Sequence, residues 1–221
     1  MRKYSNNILK MLCTFVAVIG LTTSANAASL SGLYLELGSS AVGVEMDGNH
    51  NDNDSDVSNG TVGKTAVTGS YGLGFMTSRD KPVSFDLGYM VSPGDAKISA
   101  TSDDSDTDVT LEVSDATEWY LAAMANMSED ASVYFKYGKA DADITVTGDI
   151  NNPGDLSGTT VALGTVMSWG SQMYIRTEAG KTDYDQISAT GKGSSGGIGT
   201  DVKVTADPSV HYGRIAIGFK F

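Results

Sequence analysis

The stretch from Tyr212 to Phe221 reads Tyr-Gly-Arg-Ile-Ala-Ile-Gly-Phe-Lys-Phe and stops on an aromatic. Ile215, Ile217, Phe219 and Phe221 share one parity, while Arg214, Ala216, Gly218 and Lys220 share the other. Successive side chains of a strand point to opposite faces, so this segment has one greasy face and one polar or small face. A strand closing on an exposed Phe is hard to place in water. It is natural if the greasy face meets lipid and the polar face lines a barrel.

The other end of the chain points to export. Arg2, Lys3 and Lys10 precede a short apolar run from Met11 to Leu21, and Ala25-Asn26-Ala27 forms a small-x-small cleavage site. That pattern predicts a signal peptide over residues 1–27, with cleavage after Ala27 and Ala28 as the near alternative. The run falls short of the ~20 residues of a helical span. Cys13, the only cysteine, lies in this leader, so residues 28–221 hold no disulfide and no cysteine metal site. The leader has three of the fifteen Lys and Arg and none of the acids, so the remainder is more acidic than the formal charge of −12. Such a balance opposes nucleic-acid binding through a basic patch.

Eight alternating segments follow. They are placed near Gly32–Met46, near Lys64–Met76, from Val83, near Val109–Met127, from Val133, near Thr159–Trp169, from Met173, and at the terminus. Connections after the second, fourth and sixth are short; the others are longer and rich in Asp, Asn, Gly and Ser. Short periplasmic turns opposite long extracellular loops are the asymmetry of outer-membrane barrels, and an even strand number puts both termini in the periplasm. The predicted fold is all-β, an eight-stranded antiparallel up-and-down transmembrane β-barrel over residues 28–221. Trp119, Trp169, Phe219 and Phe221 are the expected aromatic girdle.

Three segments carry a family likeness: Gly32-Leu-Tyr-Leu-Glu-Leu-Gly38, Ile175-Arg-Thr-Glu-Ala-Gly-Lys-Thr-Asp-Tyr184 and the closing Gly-Phe-Lys-Phe221. The chain resembles the small eight-stranded outer-membrane barrels: the OmpA-like transmembrane domain, OmpX and the Opa opacity porins. The resemblance implies an assembly signal at Tyr212, Phe219 and Phe221, read by the barrel-assembly machinery. It implies a wall in contact with outer-membrane lipid and lipopolysaccharide. It implies no single function, since the fold hosts several.

Inward parity gathers Glu36, Asp86, Glu118, Lys136, Arg176, Glu178, Arg214 and Lys220. Charges in a narrow lumen must be paired or wet, so these are expected to form a network, with Arg214 flanked by Glu36 and Glu178. The network reads as a structural filling or, by likeness to OmpA-type barrels, as a switchable gate. An eight-stranded barrel is too narrow for general diffusion. The first long loop holds Asp47, Asp52, Asp54 and Asp56, and the second holds Asp103, Asp104, Asp106 and Asp108. Asp52-Asn-Asp54-Ser-Asp56 starts like a calcium loop, but Val57 replaces the turn glycine and Gly63 the closing Glu. Solvated acidic loops are the expectation; Asp52, Asp54, Asp56, Asp104, Asp106 and Asp108 are the candidates for weak cation bridging.

Catalysis has thin support. His50 falls in the acidic loop, and His211 is expected near the outer rim, sharing parity with Ser209 and Asp207. No oxyanion site accompanies them, and no cofactor motif appears. The expectation is a non-enzymatic barrel with a structural or surface-interaction role through its acidic loops, meeting an extracellular ligand or host surface. A low-conductance pore is the alternative, and a lipid-active enzyme the least favoured.

Overall fold

The computed structural model describes residues 32–51, 56–94, 96–100, 109–128, 130–148, 150–192 and 203–221. The leader with Cys13, Asp52, Asp54, and Asp103 to Asp108 lie outside the described residues. Ten strands form one antiparallel sheet: β1 (Leu33–Asn51), β2 (Asp56–Met76), β3 (Val83–Ser92), β4 (Ala96–Ala100), β5 (Val109–Asn126), β6 (Ala131–Thr147), β7 (Leu156–Trp169), β8 (Met173–Tyr184), β9 (Ile187–Thr190) and β10 (Lys203–Lys220). β4 prolongs β3 along β5, and β9 prolongs β8 along β10, so the wall has eight staves. β1 pairs with β10 from Tyr34↔Lys220 to Asn51↔Lys203, which closes the sheet into a barrel.

Staves run well past the segments marked from the sequence. β1 continues to Asn51, so Asp47 and His50 stand on a strand, and Asp56 opens β2. The first acidic connection is therefore confined to residues 52–55. β10 begins at Lys203, so His211 lies partway along a stave, not at its rim. Asp, Asn and Gly favour turns, but continuous antiparallel pairing of β1 with β10 as far as Asn51↔Lys203 overrides that local preference.

One end of the barrel carries the short turns. Thr77 N–H donates to Phe85 O at 2.8 Å, and Met127 N–H to Ala131 O at 2.9 Å. Gly170 adopts φ 73° in the third turn, a conformation that glycine reaches without strain. Phe221 N–H donates to Leu33 O at 3.0 Å, tying the last residue into the closure seam.

The wall is inverted relative to a soluble barrel. Leu37, Val67, Trp119, Leu163, Trp169, Ile215 and Ile217 are exposed, while Lys136 and Arg176 are 1% exposed. On β10 the outward apolar band runs from Phe221 to Gly213, above which His211 and Ser209 follow. At ~3.3 Å per residue and the usual tilt, that band is roughly 20–25 Å tall, the thickness such barrels offer to lipid. An apolar surface this continuous far exceeds the few hundred Å² (roughly) that a soluble monomer exposes.

Inside, the layers alternate in character. Nearest the turns, Tyr34, Met76, Tyr120, Ala122, Met124, Tyr134, Val166 and Tyr174 form a packed layer. Charged groups come next. Beyond them Val44, Met46, Val113, Ala142, Ile144 and Leu156 form a second apolar layer toward the long-stave end.

Candidate functional site

Alternation on each stave turns its charged residues inward, and closure brings them within reach of one another. Two ion-pair groups result. In the first, Arg176 Nη2 meets Asp86 Oδ2 at 2.6 Å, and Arg214 Nη2 meets Glu36 Oε1 at 2.5 Å. Glu36 Oε2 also lies 3.0 Å from Arg176 Nε, an ionic contact off the N–H axis. In the second, Lys136 Nζ lies 2.6 Å from Glu178 Oε1 and 3.0 Å from Glu118 Oε2. All seven side chains are buried.

Tyrosines complete the shells. Tyr34 donates to Asp86 at 2.7 Å, Tyr174 to Glu36 at 2.9 Å, Tyr134 to Glu178 at 2.6 Å and Tyr212 to Glu178 at 2.7 Å. Arg176 Nη1 donates to Tyr120 at 3.0 Å. The Arg176 guanidinium also lies over four tyrosine rings, the nearest Tyr134 at 5.3 Å. Desolvated charges are tolerable only with their hydrogen bonds satisfied in this way.

These tyrosines were not part of the predicted network. Their signal was nonetheless present, because each inward Tyr stands opposite a glycine on the next stave. The pairs are Tyr34↔Gly74, Tyr120↔Gly88, Tyr134↔Gly164, Tyr174↔Gly218 and Tyr212↔Gly180. At each of these glycines a Cβ would collide with the facing ring. The glycines are recesses that let rings lie flat along the wall and reach the charges.

Two details of the predicted network are corrected. Glu178 is the register partner of Arg214, yet its carboxylate turns to Lys136, Tyr134 and Tyr212. Arg214 instead pairs with Glu36 and donates from Nε to Ser70 Oγ at 3.1 Å. A single Lys between two carboxylates attracts Glu178 more strongly than an Arg already engaged. Lys220 stands apart, half-buried at the turn end. There Arg79 reaches Ser168 Oγ and, at 3.4 Å, Ser132 Oγ. With Lys220 outside, four buried carboxylates face three buried cations among the described residues.

Above this layer is a chamber of about 110 Å³. Val42, Val44, Met90, Val113, Ala116 and Val210 line its sides, and Glu118 and Tyr212 border it below. Next to it the wall carries a seam. β2 pairs with β3 only from Met76↔Asp86 to Tyr71↔Val91. Beyond that point β4 pairs with β5, and among the described residues no ladder joins β2 to β4. Pro93, which has no N–H, stands where β3 ends. Across the β5–β6 ladder nearby, Asp115 adopts φ 51° in a bulge. Gly94 packs directly on Thr68 across the seam, and both line the chamber.

The remaining candidates are dispersed. Trp119 is exposed and packs at a 43° tilt against Tyr89 with ring centroids 4.5 Å apart; Trp169 is exposed beside Gly170. Phe219 meets Phe221 edge-on at 5.4 Å. Tyr212 points inward, as described. Asp207 accepts from Gln186 Nε2 at 3.2 Å, and no hydrogen bond joins Ser209 to His211 among the described residues. No cluster of metal-ligating side chains occurs among the described residues.

No protein-family model and no curated protein matches the sequence. Solved structures do match in fold. The outer membrane protein OprG from Pseudomonas aeruginosa aligns with a TM-score of 0.60 at 12% identity, over 86% of this chain and 96% of that one. The outer membrane protein AlkL aligns with a TM-score of 0.51 at 18% identity, over 86% and 92%. An inverted wall, a closed eight-stave register and these matches agree: the chain has the fold of the small eight-stranded outer-membrane β-barrels.

Proposed function

We propose that the protein is a non-catalytic outer-membrane barrel whose working part is its outer half, where the chamber takes a small molecule with apolar character. The observation that carries this is the chamber itself, floored by the buried ionic layer and flanked by a wall seam. The seam starts within the apolar band, between Tyr71 and Val91, so molecules dissolved in the outer leaflet and molecules in the medium both lie close to it. Below the chamber, the ion pairs and the tyrosine–methionine layer fill the lumen, which opposes a continuous path to the periplasm.

In this reading the turns and both termini are periplasmic, and the long staves project outward. The outer wall contacts membrane lipid and lipopolysaccharide, the C-terminal strand is recognised by the barrel-assembly machinery, and the acidic outer end meets an extracellular ligand or host surface. A shallow depression on the outer wall, over Ala123, Phe135, Leu163 and Ala179, lies within the lipid-facing band.

Planar-bilayer recordings separate this from the pore reading. The wild-type barrel is expected to give no steady conductance steps. Steady steps altered by Arg214→Ala would establish a conducting lumen and overturn the blind chamber.

A further inference from the structure

The chamber's floor carries an unmet demand. Glu118 is 5% exposed, and its Oε2 is held by Lys136 at 3.0 Å. Its Oε1 is buried with no hydrogen-bond partner among the described residues. A buried carboxylate oxygen without a donor costs of order 1–3 kcal/mol or more. Every other carboxylate of the layer has donors on both oxygens or a short ion pair with a tyrosine beside it.

The neighbouring donors are already engaged. Lys136 Nζ is shared with Glu178, Arg214 is held by Glu36 and Ser70, and the Tyr212 hydroxyl donates to Glu178. Four carboxylates against three cations leave one negative charge over, and Glu118 is the acid of this layer that lines the chamber. Space for its free oxygen is kept by Gly138, where a Cβ would fall 2.5 Å from Oε1. The chamber, at about 110 Å³, is far larger than the roughly 10–15 Å³ that a single water needs.

Resting on the chamber reading above, we propose that the chamber binds a small organic ammonium. Its N–H groups meet the Glu118 carboxylate, whose Oε1 turns from Gly138 toward the chamber to accept them, and its short apolar body lies against Val44, Val113, Val210 and Met90. The ammonium supplies both the missing donor and the missing positive charge. A carboxylate ligand would add to the excess negative charge, and a neutral alcohol would supply the donor alone.

The test uses the folded barrel in phosphatidylcholine nanodiscs, with n-butylammonium, 1-butanol and butyrate as probes of equal size. Binding is followed through the amide signals of Val113, Glu118 and Val210. Butylammonium is expected to shift them saturably, 1-butanol to bind at least tenfold more weakly, and butyrate not to bind. Glu118→Gln, whose folding is checked by gel migration, should reduce butylammonium to the level of 1-butanol. Glu118→Asp, which keeps the charge on a shorter arm, should fall between. Equal binding of butylammonium and 1-butanol, unchanged in Glu118→Gln, would overturn the ammonium assignment and leave the chamber reading standing. No response to any of the three probes would overturn both.

Discussion

Each buried charge in this lumen is answered by specific neighbours, so the cost of removing one depends on what it leaves behind. Glu36 serves Arg176, Arg214 and Tyr174 together. Glu36→Ala leaves Arg214 without its carboxylate and takes one of two from Arg176, which keeps Asp86, and the expected destabilisation is about 3–5 kcal/mol, read as a lower urea midpoint for unfolding from lipid. Glu118 serves only Lys136, which keeps Glu178 as its nearer partner. Glu118→Gln retains an acceptor and is expected to cost at most about 1–2 kcal/mol. A reversed order of the two midpoints would contradict the charge count. Parity alone identified these acids and bases. Their pairing depended on side-chain reach across a closed wall, which is why the flanking of Arg214 by Glu178 was misjudged.

At the level of the stave, two devices stand out. The first is the opposition of tyrosine and glycine across ladders. Gly88 gives Tyr120 the room to meet Tyr34 at 2.7 Å and Arg176 at 3.0 Å. Gly88→Val should displace that ring and cost about 1–3 kcal/mol, with loss of the protected Tyr34 hydroxyl signal in NMR spectra. An unchanged hydroxyl signal would show that the recess is dispensable. The second device is the seam. An ideal Cβ on Gly94 would lie 3.1 Å from the Thr68 Cβ, a little under the ~3.5–4.5 Å of a disulfide. Thr68→Cys with Gly94→Cys should therefore cross-link after a small shift. Locking should slow exchange of 1-butanol with the chamber, measured by NMR line shape; equal exchange rates in locked and reduced forms would place access elsewhere. The tyrosine recesses were legible as inward glycines opposite inward tyrosines once the register was known. The seam was only hinted at by Pro93 and Gly94.

As a whole, the molecule is a cylinder with its hydrophobicity turned outward and its polarity sealed within. The ladder between β1 and β10 runs the full length of both staves, so the turn-side half of the wall, where all eight staves pair with both neighbours, has no edge from which to unzip. The folded barrel is expected to resist SDS at room temperature, so unboiled and boiled samples should migrate differently on a gel. Identical migration, together with recovery of the protein in the soluble fraction, would refute a membrane barrel. The layering from polar turn end through packed aromatics, ion pairs and chamber also belongs to this scale, since no single stave contains it.

Alternation by itself determined the strand class, which face of each stave is apolar and which charged residues share the opposite face. Those properties depend on a side-chain period of two and on the transfer of apolar groups out of water, both of which are local. Tertiary structure decided where the staves end, which acid meets which base, and that the wall carries a seam beside a chamber. Each of these is set by register and reach between residues far apart in the chain, from Glu36 with Arg214 to Thr68 with Gly94. The terminal strand shows the division plainly. Its apolar face was readable residue by residue, while Tyr212 and Arg214 took their partners only when the barrel closed.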